Sequence, residues 1–128
     1  MARRDRAAAE RWGRLAEAVA AIALQMKGYR ILARRVRNAY GEVDLIARRG
    51  KTFAFVEVKA RSSAMAALES VSSQSWSRIS NAAEAWAARN MPPAGDFGWR
   101  YDVIAVCPWR WPKHFRDVWR PDFALTNG

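Results

Sequence analysis

Apolar residues recur along the chain with two different periods. From about Arg6 to Met26 the residues Trp12, Leu15, Val19, Ile22 and Met26 follow one another at spacings of three and four, the helical signature. At about 100° per residue, Glu17 falls on nearly the opposite side, beside Gly13, Ala16, Ala20, Ala21 and Leu24. Small side chains let a helix approach a sheet closely, so both faces of this helix are expected to be covered. Glu17 is then the acid aimed at the sheet. The alternative is an exposed glutamate paired with Arg14, an i,i+3 helix pair. Gly28 suits the helix C-terminus, where a left-handed residue is needed.

Beyond Gly28 the period changes to two. Tyr29-Arg30-Ile31-Leu32-Ala33, Gly41-Glu42-Val43-Asp44-Leu45-Ile46-Ala47 and Thr52-Phe53-Ala54-Phe55-Val56-Glu57-Val58-Lys59 read as strands. The last two flank the turn signal Arg48-Arg49-Gly50-Lys51. In an Ala- and Ser-rich stretch, Arg61-Ser62-Ser63-Ala64 predicts a mobile loop, and a helix capped by Ser72 or Ser73 follows. Trp76, Ile79, Ala83, Trp86 and Asn90 mark the core side of that helix. Met91-Pro92-Pro93-Ala94-Gly95 ends it, and Tyr101 to Cys107 is a further strand. Arg100 and Asp102 are expected to pair structurally on one face of it. Helix, three strands, helix and strand predict an α/β fold with a mixed central β-sheet flanked by helices. A single domain spans 1–128, with an aromatic, basic tail from about Pro108. In that tail Trp109, Trp111, Phe115, Trp119 and Phe123 alternate with Arg110, Lys113, Arg116 and Arg120. Packing on a sheet edge or dimerisation is favoured for them over base stacking.

Charged residues inside these apolar strands change the picture from fold to chemistry. Buried acids and lysines are costly unless paired or metal-bound. The strand period puts Ala54, Val56 and Val58 on one face and Phe53, Phe55, Glu57 and Lys59 on the other. A hairpin closed at Arg48–Lys51 brings Asp44 near Glu57, if the register faces both inward. Two carboxylates and a lysine at one spot suit phosphodiester hydrolysis, with Mg²⁺ or Mn²⁺ on the hard oxygen ligands. The lysine would hold the attacking water or stabilise the transition state. A structural Glu57–Lys59 ion pair is the alternative. Arg34, Arg35 and Arg37 lead towards Asp44, and Arg61 follows Lys59. They are candidate phosphate contacts, the alternative being a solvated edge strand.

Asp44 followed by Glu57-Val58-Lys59 at strand spacing is similar to the PD-(D/E)xK pattern of restriction endonucleases and archaeal Holliday-junction resolvases. More closely, the chain resembles the YraN-like family of small bacterial proteins within that superfamily. Glu17 to Leu32, Gly41 to Ala47, Phe55 to Arg61 and Arg100 to Val103 carry the likeness, which covers roughly residues 12 to 106. The resemblance implies a restriction-endonuclease-like fold and a nuclease acting on DNA, including branched or recombining structures. It implies that Asp44, Glu57, Glu17 and the Val58 carbonyl bind metal, and that Lys59 is the catalytic lysine. A resolvase would also need a homodimer. Ala16 stands where the family often has glycine, and Gln74 sits one position from the polar residue usual early in the second helix.

Composition narrows the partner. Lys and Arg number 22 against 12 Asp and Glu, a net charge of +10, which favours a polyanion such as DNA. The rival classes are a non-catalytic nucleic-acid-binding protein on a nuclease fold and a protein-interaction module using the aromatic tail. One cysteine, Cys107, excludes an internal disulfide and is expected to pack at a strand end. The single His114 is expected at the surface. No apolar run approaches a membrane span, and charges interrupt the first helix, so a cytoplasmic protein without membrane contact is expected.

Overall fold

The computed structural model describes residues 2–92 and 95–120. Helix α1 (Ala2–Met26) precedes the strands β1 (Arg30–Arg37), β2 (Glu42–Arg49) and β3 (Thr52–Ala60). Helices α2 (Ala64–Glu69) and α3 (Ser73–Asn90) follow, then β4 (Gly98–Val106) and β5 (Lys113–Trp119). The strands lie in sequence order in one sheet. Every pairing is antiparallel except β3 with β4, which run parallel across the helical connection. The expected mixed sheet flanked by helices is therefore found.

Strand alternation sends side chains to two cores. Leu45, Ala47, Ala54, Val56 and Ile104 pack on Ala16, Ala20, Ala21 and Leu24 of α1. Phe53, Phe55, Tyr101 and Val103 pack on Trp76, Ile79 and Ala83 of α3. The split of β3 into two faces holds as the sequence predicts. On α1 only one face is covered. Trp12, Leu15, Ile22 and Met26 are exposed, and the alanine side is buried. Alanine brings the helix axis close to the sheet, and among the described residues no second layer covers the larger side chains.

Two elements were not anticipated. Arg61 to Ser63 form the expected loop, but from Ala64 the chain makes the short helix α2, capped by Ser63, whose hydroxyl accepts from the Ala66 amide. The helix expected to begin at Ser72 or Ser73 does so, with Ser72 as its cap. Part of the tail forms β5, whose Trp119 stacks on Trp76 at 6.1 Å and 11°. Packing thus claims Trp119 and half-buries Phe115, while Phe123 lies outside the described residues. Cys107 is buried just past β4, as expected. No helix among the described residues is long and apolar enough to cross a membrane.

His114 is not at the surface. Its side chain is 3% exposed, and Nε2 lies 2.7 Å from Asp102 Oδ2. Arg100 grips the same fully buried carboxylate from Nε and Nη2 at 2.8–3.2 Å, and the Asp117 amide donates to Oδ1 at 2.9 Å. The expected Arg100–Asp102 pair is therefore present as the centre of a larger network. Histidine type alone gave no sign that β5 would return alongside β4.

Candidate active site

The site opens where two strands part. Pairing between β2 and β3 ends at Leu45 opposite Val56, while β2 stays paired with β1 as far as Glu42. Continuing the register brings Asp44 opposite Glu57. Past the last paired residues, the Val58 amide donates to Asp44 Oδ2 at 2.8 Å. The N–H and C=O of one extended residue point the same way, so the Val58 carbonyl also opens towards the β2 side. Lys59 Nζ lies 3.2 Å from Glu57 Oε1. The carboxyls of Asp44 and Glu57 lie close enough for each to act on the other's ionisation.

The rest of the cleft comes from distant sequence. Asp44, Glu57 and Lys59 line a cavity of about 410 Å³ with Arg37 from β1 and Ser75 and Arg78 from α3. The β1–β2 turn lies against α3, where Asn38 Nδ2 donates to the Ala82 carbonyl at 3.1 Å. A Cβ on Gly41 would meet the Arg78 carbonyl oxygen at 3.1 Å, tighter than ordinary contact. Glycine therefore allows the turn to close over the helix. Ser75 and Arg78 were not singled out from sequence. Their i,i+3 spacing marks one helix side, but nothing local says that this side borders Asp44.

Electrostatics sets the carboxyl pair apart. Burial raises the Asp44 pKa, and the nearby Glu17 charge adds to this against the Val58 amide bond. Burial and the Asp44 charge push Glu57 up to about 8, with Lys59 pulling the other way. Two carboxyls forced together away from water cannot both ionise cheaply. A cation between them would relieve that cost.

Other predicted residues are dispersed. Glu17, half-buried on α1, accepts from Arg35 Nε at 2.6 Å. It lines a neighbouring hollow with Arg14, Arg35, Arg37 and Glu42. Glu17 thus reaches the sheet at Arg35 rather than taking the alternative partner Arg14, and Arg35 sits in the left-handed region at φ 50°. Among the described residues no three His, Cys, Asp or Glu side chains converge as a metal group. Asp44 and Glu57 come together, and Glu17 stays with Arg35. Arg37 borders the cleft and lies 3.3 Å from Glu42. Arg34 is exposed on the edge strand, and Arg61 is exposed at the end of β3. Gln74 is exposed, and its neighbour Ser75 borders the cleft instead.

Comparison with known proteins gives the same chain-wide likeness. Residues 16–106 match the uncharacterised protein family UPF0102. A UPF0102 protein of Mesorhizobium japonicum is 50% identical over 114 residues, covering 89% of this chain and 90% of its own. A relative from Sinorhizobium medicae is 51% identical over 109 residues, covering 83% and 86%. One from Paramagnetospirillum magneticum is 46% identical over 119 residues, covering 90% and 92%. A match of this extent means that the chain belongs to the uncharacterised protein family UPF0102, the YraN-like family that its strand motifs resemble.

Proposed function

We propose that the protein is a metal-dependent nuclease acting on DNA. The observation that carries this reading is the carboxyl pair Asp44–Glu57 with Lys59 beside it, in a cleft bordered by Arg37 and Arg78. The donor set suits a hard divalent cation. Mg²⁺ usually takes one or two carboxylates and fills its shell with water and phosphate oxygens. Asp44, Glu57 and the Val58 carbonyl would hold Mg²⁺ or Mn²⁺. In this reading Glu17, whose charge is felt at Asp44, supplies a further carboxylate in exchange for its bond to Arg35. The ion would lower the pKa of water and offset charge on the phosphate.

The protein's own groups do the remainder. Lys59 donates hydrogen bonds towards the cleft, where it orients water or meets charge developing on the phosphate. Arg37 and Arg78 hold flanking phosphates by charge and directed N–H groups. Branched or recombining DNA is included as substrate.

The test is cleavage of linear, flapped, single-stranded and four-way-junction DNA with Mg²⁺ or Mn²⁺. Lys59→Ala is expected to lower the rate by about 100- to 1,000-fold with DNA binding retained. Glu57→Ala should abolish metal-dependent cleavage. DNA binding without cleavage of any substrate, indifferent to both changes, sinks the nuclease reading and leaves a binding module on this fold.

A further inference from the structure

The turn between β4 and β5 holds two large apolar side chains out in water. Trp109 is fully exposed and Trp111 is 65% exposed. By contrast, Trp76 and Trp119 are buried in the α3-side core. The turn is firmly built. Pro112 is buried, and the Arg110 amide donates to the Cys107 carbonyl at 3.4 Å. Trp109 itself takes φ 62°, in the left-handed region that a bulky residue adopts only at a cost. Backbone strain is therefore tolerated at a residue whose ring packs on none of the described residues.

The surroundings favour a polyanion. From Cys107 to Arg116 there is no acid, and Arg110, Lys113 and Arg116 are exposed. The turn also lies at the end of the sheet that carries Lys59. Strands β3 and β4 are parallel, with Lys59 opposite Ala105 and Ala60 opposite Val106. The Arg61 amide donates to the Val106 carbonyl at 3.2 Å, tying the exit of β3 to the strand that feeds the turn. Neighbouring strands are about 5 Å apart. The exit of β3, with Arg61, and the tryptophan turn thus share one end of the sheet.

We infer that Trp109 and Trp111 form a stacking platform for unpaired DNA bases, so that the substrates carry a single-stranded segment beside the cut. This rests on the nuclease reading for its substrate, and it adds a binding element outside the carboxylate cleft. Bases in a duplex already stack on one another and offer no free face. Unpaired bases stack on aromatic rings with little regard to sequence, while the neighbouring cations hold the phosphates.

The experiment uses the full chain in EDTA, with fluorescence anisotropy of a labelled single strand, a flap and the matching duplex. Trp109→Gly combined with Trp111→Ala removes both rings and keeps the left-handed turn accessible. Single-strand and flap affinity should fall roughly 10- to 100-fold. Duplex affinity and the melting temperature should hardly move. Trp111→Ala alone, where no strained backbone is disturbed, should give a smaller loss of the same kind. Unchanged single-strand affinity in the double variant overturns the inference, as does failure of the unaltered protein to bind single strands. Ring-dependent binding to vesicles of anionic phospholipid, with single-strand affinity independent of the rings, assigns the turn to a membrane surface instead. Cleavage with Mg²⁺ by the Glu57→Ala and Lys59→Ala variants is read separately. Ring-dependent strand binding without cleavage overturns the nuclease reading alone, and Glu57-dependent cleavage with ring-independent binding overturns the platform alone.

Discussion

At the scale of single residues, two buried acids act on stability in opposite directions. Glu57 titrates from an ordinary 4.5 up to about 8 in the fold. Between those values the folded chain keeps a proton that the unfolded chain releases, so stability falls as pH rises through this window. Glu57→Gln should therefore stabilise the metal-free protein at pH 9 by roughly 2–4 kcal/mol and have little effect at pH 4.5. Thermal melts at both pH values check this, and parallel shifts would refute it. Asp102 behaves in the reverse sense. Burial pushes its pKa up, but His114, Arg100 and the Asp117 amide together bring it below the usual value. Its contribution is complete above the unfolded carboxylate pKa and is lost as pH falls through the folded one. Asp102→Asn leaves Arg100 and His114 without their shared charge. A loss of about 3–5 kcal/mol is expected in denaturant titration at pH 7. A loss under 1 kcal/mol would mean that the network is incidental.

At the scale of elements, the final strand is structural. It supplies Trp119 to the α3-side core and the Asp117 amide and His114 to Asp102. Deleting residues from Pro108 onward should abolish cooperative unfolding as followed by circular dichroism, so it cannot isolate a detachable tail. A sharp melt in the truncated chain would contradict this. The strand was hard to read because its cations alternate with aromatics as they also would on a binding surface. Only β4 alongside decides between the two. The first helix shows a related limit. Its spacing located the helix and its small side chains put Ala20 and Ala21 against the sheet, but the cover expected over Trp12 and Leu15 is not found, since both are exposed. Hydrophobic size marks what favours burial, but a helix lying close on a sheet selects small side chains. Asp44, Glu57 and Lys59 were readable because the strand period and one local turn fix their meeting. Ser75 and Arg78 were not, because their place depends on how α3 crosses the sheet.

At the scale of the whole molecule, charge and cleft combine. A net charge of +10 predicts strongly salt-dependent DNA binding. Arg78 is exposed on the cleft wall, and Arg78→Ala should reduce the slope of log affinity against log salt by about 0.9, the share of one phosphate. Arg30→Ala, at the far end of β1 from Arg37 and outside the cleft lining, serves as the comparison. Equal slopes for the unaltered protein and the Arg78 variant would remove Arg78 from the DNA interface.

The parallel pairing of β3 with β4 also has a consequence for the order of events during synthesis. The hairpin bearing Asp44, Glu57 and Lys59 leaves the ribosome well before residues 98–106, which fill its open edge. Residues 113–119 then close the far side. Contacts so distant in sequence form late. A nascent chain or a prematurely released fragment therefore has the site's three residues but no finished sheet to hold them. On the nuclease reading, cutting waits until residues 98–119 have been made.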